Sequence, residues 1–335
     1  MTGARLLVGA LRDPATAATL DDGQWTAVIA AARAESLIGS LACRLEGQRL
    51  PESVARLLDD ARRDHDQGRV QALWEAEMAR RALDRLGATV ILLKGTAYAA
   101  AGLPASAGRS IGDLDILVPR ASLDSVQEAL LGAGWEWVKA DDYDDLYYRR
   151  WMHELPPLIH RERDRMIDVH HTILPLTARP TPDAAAMIAD SVALDNGLRV
   201  LCPEDMVIHA ACHLFADGDL AGGLRNLWDI DRLVRAFAAE PGFWDRLDAR
   251  GRRHQLGGPT ARALRLTAFL YGTPVVGVGG LTLADRLFAQ RLLARNGWGQ
   301  ETRPMLRLAF YVRSHWLRMP PLMLARHLWT KARKR

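Results

Sequence analysis

Three aspartates stand in apolar surroundings that read as strands. Asp113 and Asp115 lie in Ile111-Gly112-Asp113-Leu114-Asp115-Ile116-Leu117-Val118, and Asp168 lies in Met166-Ile167-Asp168-Val169-His170. Side chains alternate along a strand, so Asp113 and Asp115 point to one face while Leu114 and Ile116 point into a core. Two carboxylates on one face of a buried sheet repel each other unless a cation lies between them. A site built from carboxylate oxygens suits Mg²⁺ or Mn²⁺. Period two also places His170 on the face of Asp168 and His171 on the other.

Other residues with chemical potential are less defined by spacing. His153 and His160 flank Pro156-Pro157 and receive no role. His209 and His213 are four apart and share one face of a helix, but Ala210 stands where a zinc protease motif has glutamate. They read as core or pocket histidines rather than a metal pair. Asp229 and Asp231, two apart on a helix, cannot share a face, so one is expected to cap or pair and the other to look toward a cleft. His65-Asp66 sits in a charged helix with no supporting histidines and reads as part of a solvated face. Gly277-Val278-Gly279-Gly280 lacks the strand and helix that a dinucleotide loop requires.

The elements that must carry these residues follow from periodicity and punctuation. Residues 1–86 read as helices, with an N-terminal cap at Asp21/Asp22 and a long amphipathic stretch over 52–86 that Gly87 ends. Its expected inward positions are Val54, Leu57, Leu58, Ala61, Val70, Leu73, Trp74 and Leu83. Strands are expected at 89–93, 113–118, 135–138 and 166–171, with one or two more inside 147–159 and a charged turn at 161–165. A short helix and loop are expected over 98–108 and a helix over 122–131. The acidic stretch Asp141, Asp142, Asp144 and Asp145 reads as a turn. Beyond about residue 182 the pattern is helical, at 204–217, 223–238, 241–251, 258–271, 282–295 and 303–317. The expected organisation is an N-terminal helical segment over 1–86, a catalytic core over 87–180 and a C-terminal helical domain over 181–335.

Bulk properties bound the function. Of 335 residues, 49% are hydrophobic and 25% charged, the balance of an ordinary globular chain long enough for about two domains. No run of about 18 uncharged apolar residues is present to form a membrane span. The N-terminal stretch lacks the apolar segment of a signal peptide, so a cytoplasmic location is expected. Cys43, Cys202 and Cys212 are scattered, offer no zinc spacing and fit a reducing compartment. A net charge of +4 does not demand nucleic acid as partner. The basic cluster Arg326, Lys331, Arg333, Lys334 and Arg335 is read as a solvated tail or, as the second reading, a contact for nucleic acid, lipid headgroups or an acidic partner.

The order apolar strand, glycine turn, Asp-x-Asp strand and separate apolar-Asp-apolar strand resembles the nucleotidyltransferase superfold, the polymerase β-like catalytic domain. Within it, the chain is similar to a bacterial nucleotidyltransferase family in which Lys-Gly replaces the usual Gly-Ser turn. The motifs are Leu93-Lys94-Gly95-Thr96-Ala97, Arg109 to Asp115, Leu155-Pro156-Pro157-Leu158, Ile167-Asp168-Val169-His170-His171, Pro203-Glu204-Asp205 and Asn226-Leu227-Trp228-Asp229-Ile230-Asp231. They span roughly residues 85 to 237.

This resemblance implies an α+β fold: a small mixed sheet with flanking helices, the N-terminal helices packed behind it and the C-terminal helices forming the other wall of a cleft. It implies transfer of a nucleoside monophosphate from a triphosphate, ATP by default, to an unknown acceptor, with release of pyrophosphate; the alternatives are a non-catalytic nucleotide-binding or interaction protein on the same fold and a two-metal phosphotransferase or hydrolase. Asp113 and Asp115 would hold Mg²⁺ or Mn²⁺, and Asp168 would complete the site or take the acceptor's proton. Gly95 would let the backbone approach a phosphate and Thr96 would add a donor. Lys94 would bind triphosphate or serve as counter-charge to the aspartates. Arg109 would clamp the triphosphate or form a structural ion pair, the first favoured by the motif. His170 would orient the acceptor or hydrogen-bond a ligand carboxylate. A small molecule, peptide or protein acceptor is favoured over long nucleic acid, since no broad basic stripe is present.

Overall fold

The computed structural model describes residues 2–139, 148–216 and 219–318. The acidic stretch at 141–145 and the basic tail lie outside the described residues. Four helices open the chain: α1 (Gly3–Arg12), α2 (Asp22–Ala34), α3 (Ile38–Arg44) and the long α4 (Glu52–Leu83). Asp21 accepts from the Gln24 amide while the Gln24 side chain returns to the Asp21 amide, a reciprocal cap that sets the start of α2. Gly87, at φ 61°, closes the short turn after α4 in the left-handed region that glycine enters without steric cost.

The chain then enters a mixed sheet with strand order β3-β4-β5-β2-β1-β7-β6. The strands are β1 (Ile91–Leu92), β2 (Leu114–Leu117), β3 (Trp135–Trp137), β4 (Leu158–His160), β5 (Met166–His170), β6 (Val192–Ala193) and β7 (Arg199–Val200). β2 pairs antiparallel with β1 and parallel with β5. All four residues of β2 are buried, which explains why its hydrophobic run is broken only by the aspartate. Helix α5 (Lys94–Ala100) follows β1 directly, and α6 (Leu123–Gly132) follows β2. The fold is α+β, a mixed sheet flanked by many helices.

Helices dominate beyond the sheet, at Pro203–Ala216, Gly223–Phe237, Phe243–Arg253, Gly257–Tyr271, Leu283–Leu292 and Pro304–Arg318. One cluster of buried side chains runs from Leu7 and Leu41 through Ile91, Ile116 and Val169 to Leu227, Leu233 and Leu266. Only part of the N-terminal segment covers the sheet. α4 lies along α5, α6 and β2, whereas α1 packs on α2 and on the helix Gly257–Tyr271.

Several local expectations require correction. Residues 148–151 are helical, while the 147–159 region supplies the expected strand, β4, and a bridge between Glu154 and His170. Pro156 and Pro157 have no N–H to donate, which limits ladder pairing there. β6 and β7 add a hairpin ahead of the first expected C-terminal helix, where no strand was expected, turning at Asn196-Gly197 with Gly197 at φ 80°. In α4, Val70 is 64% exposed and Trp74 49%, while Glu75 is buried. Arg163, from the turn between β4 and β5, forms a bidentate pair with Glu75 and lies over Trp74 and Trp135. This charged contact rotates the inward face of α4 away from the purely apolar stripe. Among the described residues no helix is long and apolar enough to cross a membrane.

Candidate active site

The parallel pairing of β2 and β5 sets Asp115 directly beside Asp168. Asp113 precedes β2 by one residue and shares the face of Asp115. Carboxylate oxygens of Asp113, Asp115 and Asp168 lie within 4.8 Å of one another. Asp115 is buried, Asp168 half-buried and Asp113 exposed, so the three acids run from the core to the surface.

Asp115 is the most constrained. Its Oδ1 accepts from Lys94 Nζ at 2.7 Å and lies 3.0 Å from His170 Nε2. Burial alone would raise its pKa, but His170 and Lys94 hold it well below the usual carboxylate range. Burial likewise opposes the charge on Lys94, and Asp115, helped by Asp113 and Asp168, more than offsets it and raises that ammonium's pKa. His170 behaves in the same way: buried, yet raised by Asp115 and Glu154. Asp168 has no such donors. Burial, then Asp115 and Glu154, push its carboxyl up to about 7. The carboxylates of Asp113 and Asp168, and Oδ2 of Asp115, have no hydrogen-bond or ion-pair partner among the described residues. One ammonium therefore faces three close acids, and the donor set of all-oxygen ligands fits a hard divalent cation.

The turn carrying Lys94 is strained. Lys94 has φ 50°, a region costly for a residue with a Cβ, and it opens α5. Gly95 follows, and a Cβ there would stand 1.9 Å from Arg109 Nη1, so a larger residue would have to displace that guanidinium. Thr96 is buried in the same turn. Arg109 is buried, lies over the Tyr98 ring and gives Nε to Asp229 Oδ2 at 2.8 Å. Its Nη2 has no protein partner among the described residues.

Arg109 is positioned by contacts that sequence spacing did not reveal. His65 is not a solvated residue: its Nε2 accepts from the Gly108 amide at 3.1 Å and its Nδ1 lies 3.2 Å from the Arg109 carbonyl. Gly108, at φ 68°, passes so close to Gly39 of α3 that a Cβ would meet the Gly39 carbonyl oxygen at 2.1 Å. Of the two helical acids, Asp229 faces this site, and Asp231 turns away to Arg232, Arg235 and Thr273.

Sequence reasoning also passed over Arg225. It makes no ion pair among the described residues, and burial with Arg109 nearby lowers its pKa. It lines a cavity of about 190 Å³ with Glu35, Ser36, His213 and Asn226. His209 and His213 are held neutral by burial and by Lys94, His209 down to about 3. Neither joins a metal-ligand cluster among the described residues. A cleft of about 730 Å³ extends from Ser110 and Ile111 along α4, with Arg33, Arg56, Asp60 and Asp64 on its walls. A second group, His153, Glu154 and His170, also brings potential ligand atoms within 4.8 Å of one another.

No curated protein matches this chain. A family described as uncharacterised nucleotidyltransferase matches it over residues 21–272, well over half its length, and the chain belongs to that family.

Proposed function

From membership of that family and the geometry of the acids, we propose that this protein transfers a nucleoside monophosphate from a nucleoside triphosphate, ATP by default, to an acceptor nucleophile. The acceptor's oxygen or other nucleophile forms the new bond to the α-phosphorus, the bond to the β-phosphate oxygen breaks, and pyrophosphate leaves. The observation that carries this reading is the register of Asp115 on Asp168, with Asp113 on the same face and with Lys94 and His170 both engaged on Asp115 alone among the three acids. Asp113, Asp115 and Asp168 would hold Mg²⁺ or Mn²⁺, which when bound stabilises negative charge on phosphoryl oxygens.

The chain's own groups take the remaining roles. Lys94 and His170 fix Asp115 in one orientation through its Oδ1, leaving Oδ2 toward the ligand side. Asp168, whose carboxyl burial pushes up to about 7, would receive the acceptor's proton. Gly95 leaves room for the Arg109 guanidinium, whose Nη2 edge would offer the triphosphate donors. Arg225 adds a cation not already neutralised by a carboxylate. The cleft beside Ser110 and Ile111 is the space we assign to the acceptor. Its walls carry both signs of charge, which suits a small molecule, peptide or protein segment better than a long phosphate backbone.

Calorimetry tests the reading. Non-hydrolysable analogues of the four ribonucleoside triphosphates are titrated with and without Mg²⁺ into wild type and Asp113→Asn, an exposed position whose change spares the fold. Binding that requires Mg²⁺ and is lost in the variant is expected. Turnover should then release pyrophosphate. Release of nucleoside diphosphate instead would move the attack to the γ-phosphate, and absence of nucleotide binding would overturn the proposal.

A further inference from the structure

His153 was left without a role by its spacing, and neither it nor its neighbour Glu154 is needed for the acid triad, yet the fold builds both against β5. The segment they occupy runs antiparallel to the end of that strand: Leu155 N donates to the Val169 carbonyl and His171 N to the His153 carbonyl, both at 2.9 Å. Glu154 bridges His170 across this pairing. A single oxygen, Glu154 Oε2, lies 3.5 Å from His153 Nε2 and 3.3 Å from His170 Nδ1. In a tetrahedral centre with ligands at about 2.0–2.1 Å, neighbouring ligand atoms are about 3.3 Å apart. The observed spacings match that edge.

Two further observations point to a ligand rather than to packing. His153 Nδ1 is buried and has no hydrogen-bond partner, and its Nε2 meets only Glu154 at ion-pair distance. The ring is half-buried and neither nitrogen has a good hydrogen bond among the described residues; the buried Nδ1 in particular is left without a partner, an unusual state for a buried polar atom. The other ring nitrogen of His170, Nε2, lies 3.0 Å from the Asp115 carboxylate. A metal-bound histidine typically gives its second N–H to a carboxylate, which fixes the tautomer and the ring plane.

We propose that His153, Glu154 and His170 form a second, nitrogen-rich metal centre, distinct from the acid triad, that takes a zinc-like transition ion. Two imidazoles and one carboxylate favour such an ion over Mg²⁺, which prefers oxygen alone. Three protein ligands leave the fourth position of a tetrahedron open. Through His170 the ion orients Asp115, so the centre acts as a positioning device for the site next to it. This assignment does not rest on the nucleotide reading.

Cobalt(II) is the probe, because four-coordinate cobalt absorbs intensely in the visible and six-coordinate cobalt on oxygen ligands does not. Metal-stripped full-length protein is titrated with Co²⁺, and Zn²⁺ is then added in competition. Wild type should bind one equivalent with the four-coordinate bands, and Zn²⁺ should erase them. His153→Gln and the near-isosteric Glu154→Gln, each checked by circular dichroism, should weaken this binding by about 100-fold or more. Asp113→Asn should retain the bands while losing Mg²⁺-dependent nucleotide binding, so the two assignments fail separately. Wild type without the bands, bands that survive in folded His153→Gln and Glu154→Gln, or bands lost in Asp113→Asn would each overturn the second centre.

Discussion

Asp168→Asn should stabilise the metal-free protein at neutral and alkaline pH while removing a ligand. The wild-type carboxyl stands half-buried beside Asp115, with Glu154 and Asp113 near, and its pKa is pushed from 3.8 up to about 7. The folded state therefore holds a proton that the unfolded chain releases between these values. Its contribution follows the sign of that difference: the penalty is absent near pH 4, grows as pH rises and is complete above about pH 7. About three units at roughly 1.4 kcal/mol each set a ceiling of ~4 kcal/mol, and the solvent that reaches Asp168 reduces this to ~2–4 kcal/mol. Urea unfolding in chelator should show the variant more stable than wild type by that amount at about pH 8, with the difference closing toward pH 4. Added Mg²⁺ should favour wild type, by ~2.7 kcal/mol at a hundredfold excess over its Kd, and so reverse or cancel the order. A variant that is no more stable than wild type in chelator at pH 8, or a difference independent of pH, would refute the charge argument.

Two other perturbations address the frame around the acids. Asp229→Ala leaves Arg109 buried without its carboxylate and should cost ~3–5 kcal/mol in urea unfolding, whereas a loss below ~1 kcal/mol would mean that the guanidinium finds water or another acceptor. Gly108→Ala places a Cβ at φ 68° and against the Gly39 carbonyl, so a loss of ~2 kcal/mol or more is expected, and a neutral result would show that α3 and the turn can separate without cost.

Local patterns were enough to recover the helix-rich C-terminal region, whose observed helices start and stop within a few residues of the expected spans. The same is true of the aspartates' shared face, since alternation along a strand is a property of the backbone and needs no partner. The family resemblance added the α+β architecture, which the match over residues 21–272 and the mixed sheet support. Short-range spacing could not show which strand lies beside which. The pairing of Asp115 with Asp168 joins residues far apart in sequence, and it follows from the closing of the whole sheet. The β6–β7 hairpin escaped because two-residue strands carry almost no alternation, although Asn196-Gly197 was a turn signal.

Partner choice was the other quantity that only the tertiary structure decided. Charge on a side chain is legible in a sequence, but its neutralisation is not. Arg109 meets Asp229 from a helix more than a hundred residues later, while Arg225, one turn before that acid, is left unpaired among the described residues. His65 reads as one more polar residue on a charged helix until the fold brings Gly108 and Arg109 against its ring. His153 and Glu154 acquire meaning only when antiparallel pairing with β5 presents them to His170. Such contacts depend on distances of a few ångströms between remote segments. The amino-acid order restricts them through which residues can be buried and paired, and the packed core sets them.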